Sequence, residues 1–399
     1  MTLPFLNAHS TEGAHSIPDQ PFAFRNKNGM ICAAGPALAI PRGSDQTLAD
    51  RVGGFFNGAT DGAMLGGALP FNKAEADYLW QVGRGDGVWL GDQNKDQGVT
   101  SEITVVRPRP QPSAQTYMDS VSRALDIMRT EQKLPQGLSK VVLARTLMLQ
   151  QAQEIPLNDV LARLSYDPSV TAFQVALPTT GSRVSPRHLV GATPELLLSK
   201  SGAQITSHPL AGSAKRLDDP TADAAAAEGL RNSAKDQREH AVVVEYILDT
   251  LAPFCSELGA PDGATLTTTK SMWHIGTLIQ GTLKDPETPA VVLASKLHPT
   301  PAVCGMPCDR AANLISELEP VPRDFYAGAV GWCDRSGDGA WYVAIRCAEL
   351  CGSQARLYAG AGIVLGSEPQ SEAAETGAKF GALLAALGLP RDAALQDLN

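Results

Sequence analysis

Glu372, Glu375 and Lys379 are spaced i, i+3 and i+7, so a helix starting after Pro369 would carry all three on one face. The same spacing also suits a solvated face with an i,i+4 Glu-to-Lys pair. The preceding LYAGAGIVLGSEP reads as a strand in which Gly360 and Gly362, lacking side chains, leave room for something to approach the backbone. Carboxylates beside such an opening suit a hard cation. Glu239 and His240 stand at the head of an amphipathic helix whose Val243, Ile247, Leu248 and Leu251 face the core. An acid in a first turn is ordinary macrodipole complementarity. Magnesium, however, accepts only a few carboxylates plus water and substrate oxygens, and two helices each offering a glutamate would suit it, so Glu239 with Glu375 is the candidate pair.

Two further residues have surroundings suited to proton transfer. Glu195, in GATPELLLSKSG, lies beside three leucines on an expected strand, where burial disfavours the charged carboxylate. That is the profile of a general acid. Lys140 begins the apolar strand SKVVLAR, where a desolvated ammonium holds its proton less tightly, as a general base requires. Taken alone, each is more often an edge residue that reaches solvent. The run G-A-G-I-V-L-G resembles a phosphate-binding turn, but Ile363-Val364-Leu365 continues a strand where a dinucleotide fingerprint would open a helix. Cys304/Cys308 and Cys347/Cys351 repeat a C-x3-C spacing, yet Cys347 lies in the apolar WYVAIRCAEL, which favours small buried hydrophobes over a zinc site.

The elements that must position these groups follow from patterning. Residues 1 to about 112 are rich in Gly and Pro, with short apolar stretches (GMICAAGPALAI, GVWLGD, SEITVVRPRP) that read as strands and loops. PRPQPSAQ, 108 to 115, has the composition of a linker but is too short to prove a boundary. Met118, Val121, Leu125 and Met128 then recur at helical spacing up to Pro135. Beyond that, SKVVLARTLML, TAFQVALP, RHLVGATPELLLSKSG, GTLIQGTL, FYAGAVGWCDR, AWYVAIRCAEL and ARLYAGAGIVLG read as strands, some joined by turns such as Ser336-Gly337-Asp338-Gly339. EHAVVVEYILDTLAPF, AVVLASKL and EAAETGAKFGALLAALG read as helices. Neighbouring strands with few crossover helices favour a mostly antiparallel sheet.

A chain of 399 residues with 43% apolar side chains can bury a large core, which excludes a disordered adaptor or a stapled mini-protein. Its net charge of −9 removes the main attraction for polyphosphate, so nucleic acid is not an expected partner. No apolar run reaches about 18 residues and the N-terminus has no basic start before an apolar stretch, so neither membrane insertion nor a leader is expected and the location is expected to be cytoplasmic. Seven thinly spread cysteines, an odd number, are expected to be reduced.

From Lys140 to Lys379, in order, KVVLAR, LVGATPELLL, PLAGSAKR, KDQREHAVVV, WHIGTLIQGTL, LHPTPAVCGMP, FYAGAVGW, VAIRCAEL and AGAGIVLGSEPQSEAAETGAKF resemble the chorismate-utilising enzymes. The likeness covers about the last 260 residues and is strongest to the siderophore branch that makes isochorismate. The resemblance implies one α/β (α+β) domain over 1–399, with a variable portion to about 110 and a catalytic portion over about 115–390. A two-layered, largely antiparallel sheet flanked by helices would hold the site between its layers. It also implies an enzyme that takes chorismate with Mg²⁺, needs no redox cofactor, adds water at C2 and loses the C4 hydroxyl; a monomer is expected. Lys140 would then activate the water and Glu195 protonate the leaving hydroxyl. Glu239 and Glu375 would hold the metal, with Glu372 acting through water. Arg346, assisted by Lys379, would pair with a substrate carboxylate. Gly212, Ser213, Gly360 and Gly362 would let the ligand approach the backbone. His274 would lie near the ring, although a histidine in an apolar stretch is as often a core residue.

Within this resemblance, amine-transferring relatives usually carry glutamine where this chain has Lys140, and aminodeoxychorismate enzymes commonly carry a nucleophilic lysine where it has Ala211. Salicylate synthases, which go on to eliminate pyruvate, tend to carry threonine in place of Ala302. Lys140, Ala211 and Ala302 therefore favour hydration that stops at isochorismate. A salicylate-forming enzyme and a catalytically silent binding homologue are the alternatives.

Overall fold

The structure, a computed structural model, describes residues 21–26, 29–33, 38–84, 105–178 and 186–395. GVWLGD lies outside the described residues. The longest strand, Lys140–Gln151, is apolar along most of its length and buried on both faces, as a central strand requires. Gln354–Val364 runs antiparallel beside it in unbroken register, with Val364 opposite Lys140 and Gln354 opposite Gln150. All strand pairings among the described residues are antiparallel, as the patterning predicts.

The sheet has two halves. One contains Phe22–Asn26, Thr171–Leu177, Arg187–Thr193, Cys347–Cys351, Gln354–Val364 and Lys140–Gln151. The other contains Met64–Leu69, Ala329–Asp334, Gly339–Val343, Leu196–Ser201, Gln204–His208 and Ile279–Leu283. Tyr78–Arg84 pairs with strands of both. The halves face each other across a shared core: Phe24 of the first has its ring 5.5 Å from Tyr342 of the second, and Phe173 and Val175 share a cluster with Leu65, Val330 and Trp341. A separate three-stranded sheet, Leu210–Lys215, Met272–Thr277 and Ala264–Thr268, stands beside them. This is the two-layered α+β arrangement expected from the resemblance.

Two of the expected strands are in fact pairs. RHLVGATPELLLSKSG divides into Arg187–Thr193 and Leu196–Ser201, and AWYVAIRCAEL into Gly339–Val343 and Cys347–Cys351. At each break the chain passes from one half of the sheet to the other. Pro194 lacks a backbone N–H, which ends the first ladder, and Arg346 turns the second with φ +50°, left-handed for a non-glycine residue. The breaks are tied together: Val343 N donates to the Glu195 carbonyl at 3.1 Å, Thr193 Oγ1 to the Val343 carbonyl at 2.7 Å, and Ala192 N to the Arg346 carbonyl at 3.1 Å.

PRPQPSAQ is not a linker. Val105–Gln111 is a strand paired with Lys140–Gln151, and its prolines fit an outer position where no donor is needed. The N-terminal third also contains a helix, Asp45–Gly58, where only strands and loops were expected. Ala114–Glu131 begins on its Ser113 cap, whose side chain accepts from Thr116 N. Its Tyr117, Val121 and Met128 pack with Leu143, Ile363 and Ala373. The last expected helix is two, Pro369–Lys379 and Gly381–Ala386. Arg145 fastens the first of these to the central strand, donating to Thr376 Oγ1 at 2.8 Å and to the Ala373 carbonyl at 3.0 Å. Ala234–Leu251 starts at its Ser233 cap, so Glu239 lies in the second turn and not at the head of the helix. Val243, Ile247 and Leu251 of that helix are buried, whereas Leu248 is only half-buried.

Candidate active site

A cavity opens where the two strand breaks, the small sheet and two helices meet. Glu195 and Arg346 enter from the breaks, Gly212, Ser213 and His274 from the small sheet, and Glu239, Glu375 and Lys379 from the helices. Ala211, Ala302, Gly360 and Gly362 also line it. Lys140 lies against this wall: its Nζ is 3.0 Å from Glu239 Oε1, and its side chain is 1% exposed. Nearly every residue singled out from the sequence is thus at the cavity or one contact away.

The carboxylates are distributed among lysines. Glu239 pairs with Lys140, Glu375 Oε1 with Lys379 Nζ at 2.6 Å, and Glu372 Oε1 with Lys235 Nζ at 2.6 Å. The lone desolvated ammonium expected at Lys140 is corrected, because Glu239 supplies a counter-charge. Lys379 also donates to the Gly360 carbonyl at 2.9 Å, and the Ser213 hydroxyl reaches Glu375 Oε1 at 3.4 Å. Burial and the neighbouring Glu375 raise the Glu372 carboxyl, against the pull of Lys235. For Glu375, burial pushes upward, but Lys379, Lys235 and Arg346 outweigh it and hold the carboxyl below its ordinary value.

Glu195 behaves as its leucine-rich surroundings predict. Burial pushes its carboxyl up to about 7, against the backbone N–H of Leu210 and the charges of Lys140, Lys379 and Arg346. It stands at the strand break and not within a strand, which leaves its side chain free of a ladder's alternation. His274 is neutral: burial, Arg346 and Lys379 drive its value far down. The backbone of Gly212 takes one ring nitrogen, leaving Nε2 buried without a partner on the cavity side.

The glycines differ in what they admit. Gly212 has φ +77° at a register shift in its strand, and a side chain there would meet Asp236. The room left by Gly360 and Gly362 is taken by the protein itself, by the Tyr326 hydroxyl at the first and by Glu239 and Lys140 at the second. Sequence reasoning did not single out Tyr326 and Tyr358, whose rings stack at 4.8 Å in the cavity wall, although both lie in quoted segments, FYAGAVGW and LYAGAG. It also passed over Lys235, whose signal was its i,i+4 spacing from Glu239.

The site's donor set suits a hard cation. Among the described residues no three His, Cys, Asp or Glu side chains already converge on one point. Glu239, Glu372 and Glu375 nevertheless offer only oxygens, and Glu372 Oε2 is buried without a hydrogen-bond partner.

Known proteins resemble this chain over most of its length. The family model described as "Chorismate binding enzyme" matches residues 86–388. The isochorismate synthase DhbC of Bacillus subtilis is 38% identical over 95% of this chain and 97% of its own length. The vibriobactin-specific isochorismate synthase of Vibrio cholerae is 42% identical over 96% of each chain. The crystal structure of a putative 2,3-dihydroxybenzoate-specific isochorismate synthase, DhbC, from Bacillus anthracis superposes with a TM-score of 0.83 at 34% identity, over 93% of this chain and 96% of that one.

Proposed function

The chain belongs to the chorismate-binding enzymes, and on that premise we propose that it isomerises chorismate to isochorismate, adding water at C2 while the C4 hydroxyl leaves. One chorismate-binding domain spans 1–399 in this reading. The observation that carries the reaction is a buried carboxyl raised to about 7, Glu195, in a cavity whose Glu239 wall is backed by a buried lysine, Lys140. Similarity to isochorismate synthases over almost the whole chain supports it.

The roles follow from placement. Lys140 takes the proton of the attacking water. Glu195 gives its proton to the departing hydroxyl. Arg346, whose guanidinium makes no ion pair or hydrogen bond with a described residue, receives a substrate carboxylate in a two-pronged contact, with Lys379 beside it. Neutral His274 accepts from a ligand hydroxyl at its free Nε2. The wall at Ala211 offers no nucleophile, and Ala302 no hydroxyl, which favours release at isochorismate without pyruvate loss.

Glu239 and Glu375 would hold Mg²⁺ directly and Glu372 through water. Bound there, the ion would orient the substrate carboxylate and offset charge on the ring. Glu375→Ala is expected to raise the Mg²⁺ concentration needed for half-maximal rate sharply, because it removes one of two direct carboxylates. An unchanged metal titration would take Glu375 out of the ligand set.

One relative is named as vibriobactin-specific and another as a putative 2,3-dihydroxybenzoate-specific enzyme, and the same siderophore role is proposed here. A cytoplasmic monomer fits seven free thiols and, among the described residues, exposed large apolar side chains that are few and scattered in sequence. No helix of the described residues is long and apolar enough to cross a membrane. The deciding experiment incubates the purified protein with chorismate and Mg²⁺, with and without EDTA, and separates the products. Isochorismate alone, abolished by EDTA, is expected. Salicylate with equal pyruvate would overturn the assignment at Ala302, and unreacted chorismate would overturn the reaction.

A further inference from the structure

Cys304 and Cys308 stand behind the site and have no part in the reaction above. Cys304 is buried and Cys308 half-buried. The chain between them folds back on itself: Cys304 Sγ donates to the Cys308 carbonyl at 3.4 Å, and Cys308 Sγ lies 3.3 Å from the Gly305 carbonyl and 3.7 Å from that of Pro299. Each thiol shifts the proton affinity of the other, and Tyr246 of Ala234–Leu251 shifts that of Cys308. Tyr246 and Met306, the latter between the two cysteines in sequence, line an open groove beside this corner.

The pair is asymmetric. Cys308 is the first residue of the helix Cys308–Leu318 and is the more exposed of the two, Cys304 being buried. The hydrogen bond from Cys304 lowers the Cys308 thiol, against burial, and Tyr246 adds to the effect. The same contact, with burial, pushes Cys304 up. One sulfur is thus suited to attack and its neighbour to resolve.

The segment between the cysteines is the backbone support of Lys140. Met306 pairs with Lys140 and Gly305 with Val141. Val142 N donates to the Cys304 carbonyl at 2.8 Å and Ser139 N to the Met306 carbonyl at 2.9 Å. Gly305 has φ +140°, and even a Cβ there would lie 2.3 Å from the Lys140 carbonyl, so this contact has no slack. Ala302 and Val303, just upstream, line the cavity.

We propose that Cys304 and Cys308 form a redox modification site, oxidised by a hydroperoxide to an intramolecular disulfide that displaces the support of Lys140 and lowers turnover. The Cys308 thiolate attacks a peroxide oxygen and breaks the O–O bond. Cys308 becomes a sulfenic acid and the second oxygen takes up a proton and leaves, as water from hydrogen peroxide or as the alcohol from an organic hydroperoxide. Cys304 then attacks that sulfur, forming S–S and breaking S–O, and water leaves with the thiol proton. Two thiols lose two electrons and one peroxide gains them. A disulfide requires sulfurs about 2.05 Å apart, closer than unbonded sulfurs can approach, so the 304–308 segment must contract.

The test treats the reduced full-length protein with hydrogen peroxide. Peptide mapping without reductant should find Cys304 linked to Cys308 within one chain. Isochorismate formation should fall about tenfold to a hundredfold, the effect of a displacement near 1 Å beside reacting groups. Dithiothreitol should reverse both. Cys308→Ser should keep the untreated rate and retain it through peroxide. Cys304→Ala should stop at a Cys308 sulfenic acid that a 1,3-diketone captures. Absence of the link, a link with unchanged turnover, or equal inactivation of Cys308→Ser would overturn the proposal. The link is read by mass whatever the substrate, so failure of this site and failure of the assigned reaction are distinguishable.

Discussion

Glu195→Gln is expected to bind chorismate as the parent does and to lose turnover by about two or more orders of magnitude, the worth of a positioned general acid. Glutamine keeps the shape and the hydrogen-bonding reach of the side chain but has no proton to give. In the parent, burial holds the carboxyl near 7 even though Lys140, Lys379 and Arg346 favour its ionised form. Bound chorismate brings two further negative charges, which push it higher, so the acid stays loaded at neutral pH. Turnover of the parent should therefore decline above the Glu195 value as the proton is lost, and that descending limb should be missing from the residual activity of the variant. Steady-state kinetics with a direct binding measurement separate the two quantities. Parental turnover in the variant would remove Glu195 from the mechanism.

The same residue carries a stability signature of known sign. Its carboxyl is at about 7 when folded and at an ordinary 4.5 when unfolded, so between these values the folded chain holds the extra proton. Stability then falls as pH rises through that window, by about 3 kcal/mol in all. Glutamine is neutral throughout. Glu195→Gln should accordingly melt above the parent at pH 8, with the difference fading toward pH 4.5, although it has lost its chemistry. A group retained for function at a cost to the fold behaves in this way.

The parts of this site that could be read in advance are those governed by short-range spacing or local composition. Glu372, Glu375 and Lys379 share a face because helical geometry requires it, and the leucines following Glu195 foretell its burial. The crossovers at Pro194-Glu195 and Ala344-Ile345-Arg346 were hidden, because the apolar pattern runs on through both breaks while the backbone changes sheet layers. Glu195 and Arg346 meet because those two breaks are hydrogen-bonded to each other, a pairing between distant segments that no local window contains. Gly360 and Gly362 announced missing side chains, but only the fold shows that Tyr326, Glu239 and Lys140 fill the space. The Lys140–Glu239 pair was likewise invisible, since each partner was legible only as a residue of its own element.

Gly362→Ala should be nearly as damaging as loss of a catalytic group, although it adds a single methyl. An added Cβ would lie 2.1 Å from Glu239 Oε1 and 3.3 Å from Lys140 Cε. Neither backbone can withdraw. The backbone of Gly362 is held in register opposite Val142, and the helix bearing Glu239 is seated by buried Val243, Ile247 and Leu251. The Glu239 carboxylate must swing away, breaking the 3.0 Å pair and leaving Lys140 Nζ buried with no hydrogen bond to replace it. Turnover is expected to fall about 10²- to 10⁴-fold, as when a positioned proton acceptor is lost, and stability by about 1–3 kcal/mol from overpacking. Gly229→Ala, in the helix Pro220–Asn232 with nothing near the added methyl, should leave the rate unchanged and supplies the control. Glu239→Asp shortens the acid that the methyl strikes, so in combination with Gly362→Ala it should restore part of the lost rate, whereas general disruption of the strand would leave the double variant no better than the single one. Parental turnover in Gly362→Ala would mean that the wall yields and that the Lys140–Glu239 contact is dispensable.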